Sequence, residues 1–172
     1  KNGEYHDRLF PYDPVPRIIE SDEYDELEKG LKQRVNALNA YLKDIYSDKR
    51  IIHDGVVPEE YVYTSAGYFP QVNCVTPPGG IFAHIAGEDL VQGEDGRWWV
   101  LEDNLRIPSG ASYPLFVRDI ERRISPRLFR DVRIRDNREY PRLLRKAMDF
   151  VSTEGIAVVL TPGRYNSAFF EH

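Results

Sequence analysis

Cysteine is almost absent from this sequence. The single one, Cys74, excludes an internal disulfide and a cysteine-cluster zinc site. Long apolar runs are missing as well: none approaches the roughly 18 residues that span a bilayer. The first ten residues lack the apolar centre of a signal peptide. There is no basic excess, and the net charge of −5 argues against a nucleic-acid partner. Internal repeats, heptads and low-complexity tracts are absent too. A cytoplasmic protein, or one from which a leader has been removed, with no membrane or nucleic-acid partner is expected. An initiating methionine is lacking at Lys1, and the chain stops at Glu171-His172 just after an apolar segment, so a piece of a longer polypeptide is expected. What is present is ordinary for a globular chain. With 41% hydrophobic and 30% charged residues, the 172 residues suffice for one domain with a sizeable core.

Pro11, Pro14 and Pro16 predict an extended N-terminal arm, whose apolar residues (Leu9, Phe10, Tyr12, Val15, Ile18, Ile19) would lie against the body. Ser21 or Asp22 can cap the next segment. There Tyr24, Leu27, Leu31, Val35, Leu38, Leu42 and Ile45 recur at steps of three and four, predicting a helix to about Ser47. Ile51 and Ile52 precede a turn, Pro58 opens a short helical turn, and Tyr61 to Thr64 reads as a strand. Residues 70–80 read as a loop, and no Gly-Lys-Ser or Gly-Lys-Thr follows Pro77-Pro78-Gly79-Gly80, so a Walker-type phosphate loop is unsupported. Helices are expected over Tyr113–Ile124 and Tyr140–Val151. Ile156–Leu160 reads as a buried strand, and Tyr165–Phe170 as the start of a helix. The arginines between Arg118 and Arg145 alternate with acids, which describes a solvated helical surface better than an anion site.

Chemistry concentrates between these parts. Ile81–Val91 and Arg97–Leu101 flank Gly93-Glu94-Asp95-Gly96, the pattern of a β-hairpin. Glu102 and Asn104 are two apart and share a face if the second strand reaches them. A loop of either Gly93–Gly96 or Asp95-Gly96 has an even number of residues. Both loops put Asp89 on the face of Glu102 and Asn104, whereas a three-residue loop would turn it away. Trp98 would share that face. Two carboxylates and an amide oxygen converging there repel unless a hard cation joins them. Magnesium, which takes one or two carboxylates beside substrate phosphates, suits such a set. From the residues alone, a polar hairpin whose charges never meet stands as the alternative. Ser109, Gly110 and Ser112, just beyond, could offer N–H groups to a substrate carboxylate or phosphate, or form a simple turn. His84 should face away from Asp89 and play a structural role.

A strand with Asp, a glycine turn and an apolar strand ending in Glu-x-Asn resembles the metal hairpin of ATP-grasp ligases. The run Val100-Leu101-Glu102-Asp103-Asn104-Leu105-Arg106-Ile107-Pro108-Ser109-Gly110-Ala111-Ser112-Tyr113 resembles the circularly permuted ATP-grasp proteins related to glutathionylspermidine synthase. So do residues 11–19, Pro77–Gly80 and Leu160–Ser167, so the resemblance spans nearly the whole chain. It implies an α+β, ATP-grasp-like half-domain with a mixed or antiparallel sheet and covering helices. Residues 1–152 would form the catalytic half, and residues 153–172 the start of a following α/β segment. It implies ATP and Mg2+ as cofactors, with Asp89, Glu102 and Asn104 as metal ligands. The implied activity is a carboxylate–amine ligase working through an acyl phosphate on an amino acid or small peptide. Those synthases carry an arginine two residues before the metal-binding Asp, where this sequence has Gly87. Arg106 is the candidate replacement as a catalytic charge, with a salt bridge as its plain alternative. A non-catalytic module of the same ancestry is the competing reading.

Overall fold

A computed structural model describes residues 9–166 and 168–172. Residues 1–8 and Ser167 lie outside the described residues, so the arm is seen from Leu9 onward. Among the described residues the chain is α+β, with six helices and a two-stranded antiparallel sheet.

Helix α1 (Ser21–Ile45) is the spine, as its apolar spacing predicts. It begins after Glu20, without a side-chain cap, and places Asp22 and Glu23 in its first turn, where the helix dipole favours acids. Its C-terminal end meets the only buried cluster among the described residues. Ile45, Tyr46 and Val62 pack there with Ile51, Ile52, Tyr68 and Phe82 around them. Tyr46 stacks on Tyr68 at 5.3 Å and on Phe82 at 5.8 Å between ring centroids, within the usual aromatic range. Helices α2 (Arg50–His53) and α3 (Glu59–Tyr63) close this corner. Residues 61–64 are therefore not a strand. Pro58 sets the helix entry, and Glu59 and Glu60 suit the first turn, overriding the β preference of Tyr61, Val62 and Tyr63.

The chain then returns along α1. The Asn39 side chain accepts the N–H groups of Phe82 and Ala83, both at 2.9 Å, and donates to the Ala83 carbonyl at 3.1 Å. These bonds hold 82–83 on the helix and delay the strand. The sheet comprises β1 (Gly87–Gln92) and β2 (Trp98–Asn104), shorter at the start than the apolar run suggests. Helices α4 (Ser112–Ile124), α5 (Pro126–Asp131) and α6 (Tyr140–Val151) follow. Their arginines are largely engaged by nearby acids, among them Arg122 with Asp119, Arg138 with Asp136 and Arg145 with Asp149.

The arm is extended but only partly docked. Phe10 stacks on Tyr113, Tyr12 donates to Glu121, and Arg17 lies over Trp98, while Leu9, Val15 and Ile18 stay exposed. At the other end, residues 156–160 form no strand and are not buried: Ile156 is 91% and Leu160 93% exposed. A strand needs a ladder partner for its backbone, and this segment has none among the described residues. The described residues between 165 and 170 form turns and a bend rather than a helix. Asn166 already accepts the Ala168 and Phe169 N–H groups, as a helix-capping residue does.

Candidate active site on the β-hairpin

The hairpin loop is odd, not even. The Gly93 N–H donates to the Arg97 carbonyl at 2.8 Å, which encloses the three residues 94–96. Gly96 takes φ 77°, a conformation that costs glycine little and that three-residue hairpin loops use. Such a loop alone would turn Asp89 away from Glu102. A bulge in β2 reverses the slip. Val100 pairs with Leu90 and Glu102 with Asp89, leaving Leu101 as the extra residue. Two single-residue offsets thus return Asp89 to a position directly opposite Glu102, with Asn104 opposite Gly87. The odd loop corrects the placement of Trp98, which lies before the bulge. It pairs with Gln92 on the face away from Asp89, and half-exposed Trp99 lies on the Asp89 side instead.

The two faces of the hairpin differ in what they meet. Glu88, Leu90, Gln92, Trp98, Val100 and Asp103 turn toward α1. Glu23 accepts the Trp98 indole N–H and the Gln92 amide, both at 2.8 Å. Arg34 forks onto Asp103, with Nε to Oδ1 at 2.6 Å and Nη2 to Oδ2 at 2.7 Å. These bonds hold the Asp103 carboxyl below the usual carboxylate range and raise the Arg34 guanidinium. His84 lines the cleft beside α1 with Glu88, and its ring meets Phe150 edge-on at 5.8 Å, in keeping with a structural role.

Asp89, Glu102 and Asn104 occupy the opposite face. Asn104 Nδ2 donates to Glu102 Oε1 at 3.0 Å, which leaves the amide oxygen available. Asp89 has no hydrogen bond or ion pair among the described residues. The donor set is oxygen only and carries two negative charges, matching a hard cation that keeps room for phosphate oxygens. No group of three or more His, Cys, Asp or Glu side chains converges among the described residues. The third candidate ligand is an amide, a group outside that set of residue types.

The loop after β2 carries the remaining candidates. Arg106 is exposed, and it makes no ion pair among the described residues, so the salt-bridge alternative is not realised. Pro108 covers Gly87: a Cβ added there would lie 3.0 Å from Pro108 Cβ. A side chain at this position would crowd Pro108, because the loop bearing Arg106 folds across it. Ser109 is exposed, and Gly110 takes φ 101°. Ser112 is already engaged. Its hydroxyl donates to Glu171 Oε1 at 2.5 Å and its N–H at 3.2 Å, while Phe170 packs against Tyr113 and Phe116. The sequence reading missed Arg34 and Asp103. The signal was present: the middle residue of Glu102-Asp103-Asn104 must point away from its neighbours and so needs its own partner.

A family model described as a circularly permuted ATP-grasp matches residues 16–172. The chain belongs to the circularly permuted ATP-grasp family. It is 44% identical over 170 residues to an uncharacterized protein of Synechocystis sp., covering 96% of this chain and 35% of that protein. An uncharacterized protein of Mycobacterium tuberculosis is also 44% identical over 170 residues, with 96% and 31% covered. A Frankia casuarinae protein provisionally named glutamate–cysteine ligase 2-2 is 40% identical over 176 residues, covering 99% of this chain and 20% of that protein. The chain thus spans about a third of the length of the first two relatives. No helix among the described residues is long and apolar enough to cross a membrane.

Proposed function

We propose that this chain carries the metal-binding and catalytic part of an ATP-dependent carboxylate–amine ligase acting on an amino acid or small peptide in the cytoplasm. The observation that carries the reading is the Asp89–Glu102 pair, directly opposed across two strands, flanked by Asn104 and without a cationic side chain paired to it among the described residues. Family membership supports the use of ATP and Mg2+, which ATP-grasp enzymes generally employ. The name given to the Frankia relative is in keeping with a ligase, although the match covers only a fifth of that protein. Residues 1–152 would be the catalytic half and residues 153–172 the start of the segment that follows.

Magnesium held by Asp89, Glu102 and Asn104 would neutralise phosphate charge. The rest falls to the chain's own groups. Asp89 and Glu102 orient their carboxylates side by side, and Asn104 keeps its oxygen toward the same space by giving its NH2 to Glu102. Arg106, with no ion pair among the described residues, meets the negative charge that develops as a substrate carboxylate oxygen attacks the γ-phosphorus and ADP departs. The amine nitrogen then attacks the acyl phosphate carbon, phosphate leaves, and the amide forms. Ser109, Gly110 and Ser112 follow Arg106 in the chain and would offer donors to a substrate carboxylate or phosphate. Ser112 holds the carboxylate of Glu171, the chemical type that a substrate would present.

Gly87 favours a second reading, a module of the same ancestry that binds without turnover, because it stands where the synthases that the sequence resembles carry an arginine, and a side chain there would crowd Pro108. One experiment separates the two. In the full-length protein, ADP release with amino-acid carboxylate and amine substrates should fall to background in Glu102→Ala, with an unchanged far-ultraviolet dichroism spectrum. Wild-type turnover in that variant would sink the assignment. Mg-ATP binding without ADP release under any substrate pair would favour the binding module.

A further inference from the structure

We propose that Arg34 is a positioning residue for the metal site: its two-bonded grip on Asp103 fixes the end of β2 so that Glu102 and Asn104 present their oxygens together. The proposal rests on the reading of that face as a cation site. Asp103 stands between the two candidate ligands. Because strand side chains alternate, holding Asp103 on one face sets the direction of its neighbours on the other.

The ladder pairs Glu102, Asp103 and Asn104 with Asp89, Glu88 and Gly87, and the grip adds the side-chain anchor that ties this stretch to α1. The bulge at Leu101 interrupts the ladder immediately before Glu102, and β2 ends at Asn104. Apolar packing beneath is also incomplete. A cleft of about 610 Å³ separates α1 from the hairpin, lined by Leu27, Leu31, Leu90, Trp98 and Val100. The hairpin is therefore held on α1 mainly by polar bonds: Glu23 near the loop, Arg34 near the candidate ligands, and Asn39 on the approach to β1. Of these, Arg34 alone acts within the Glu102–Asn104 segment. A guanidinium fork restrains both translation and rotation of the carboxylate, which a point charge does not. The Asp103 side chain is only 17% exposed, so water competes little for it. Glu88, directly opposite Asp103, has a buried Oε1 with no hydrogen-bond partner, leaving Arg34 as the charge between both acids.

The test uses the full-length protein and the Mg2+ concentration that half-saturates ATP binding, measured by titration well below the melting temperature. Arg34→Gln and Asp103→Asn should each raise it about tenfold, the scale seen when a group supporting a metal ligand is lost. Their combination should do no more than either alone. Arg34→Lys should recover only part, since it returns the charge without the fork. Half-saturation within twofold of wild type in Arg34→Gln, even with a lowered melting temperature, would overturn the inference. If Arg34→Gln does not fold, Arg34→Lys decides in the same way. Glu102→Ala runs beside them: if it keeps wild-type magnesium dependence, the metal reading itself has failed, whereas loss in Glu102→Ala with no change in the Arg34 variants refutes the positioning role alone.

Discussion

Two pairs of acids face each other across the same two strands, one residue apart, and the protein treats them differently. Glu88 opposes Asp103 on the face toward α1, where Arg34 meets Asp103 with two short bonds. Asp89 opposes Glu102 on the other face, where an amide from Asn104 is the only partner among the described residues. Like charges directly opposite one another destabilise a sheet. On one face the fold supplies a cation, and on the other it does not. The difference supports the proposal that the first pair is structural and the second a place for a cation from solution. The same contrast holds for the tryptophans: Trp98 is tied to Glu23, and Trp99 is left half exposed beside the open pair.

Neutralising each pair should break this contrast in opposite directions. In the full-length protein, Mg-ATP at a hundred times its dissociation constant should stabilise the wild type by about 2.7 kcal/mol, as any ligand specific for the native state does. Asp89→Asn should lose that gain. Without magnesium, the same variant should be more stable than wild type by roughly 0.2–1 kcal/mol, because a cross-strand repulsion has gone. Asp103→Asn should instead lower the melting temperature without magnesium. Calorimetric scans of both variants, with and without Mg-ATP, check the pattern, and equal signs for the two would remove the basis of the contrast.

A smaller effect is expected at Gly87. Gly87→Arg must push Pro108 aside, since even a Cβ sits 3.0 Å from it, and the loop bearing Arg106 moves with it. Displacing a positioned charge by an ångström costs up to about a hundredfold in rate. The rate of ADP release should therefore fall while magnesium half-saturation stays within twofold. A faster variant would instead show that the missing arginine, rather than Arg106, limits this chain.

The smallest effect is a pH dependence confined to the α1 face. The folded Asp103 carboxyl lies below the ordinary carboxylate value of about 4. Its contribution to stability is complete above that value and is lost as pH falls through the folded one. Acidification below about pH 4 should loosen the hairpin from α1 and expose Trp98, shifting tryptophan emission to the red. In Asp103→Asn this step should be missing.

The sequence made some of this legible and hid the rest for physical reasons. The apolar steps from Tyr24 to Ile45 announce α1, because a periodicity over many turns has no competing explanation. The hairpin is legible from its glycine turn. Its register is not, because the odd loop and the bulge at Leu101 are two offsets that cancel for Asp89 and do not cancel for Trp98. Nothing in a leucine between valine and glutamate signals a bulge. Tyr61–Tyr63 misled because β-preferring side chains yielded to the helix entry at Pro58. Ile156–Leu160 misled because an apolar run reports what a segment seeks, not what it finds. Ser112 and Glu171 are far apart in sequence, as are Arg34 and Asp103, and contacts of that kind follow from the fold rather than from any local pattern.

The most direct test of the central claim is a calorimetric titration of the full-length protein with ATP, with and without magnesium, beside Glu102→Ala. The account predicts magnesium-dependent binding in the wild type that disappears in the variant. Binding that persists unchanged in Glu102→Ala would contradict it and place the cation elsewhere.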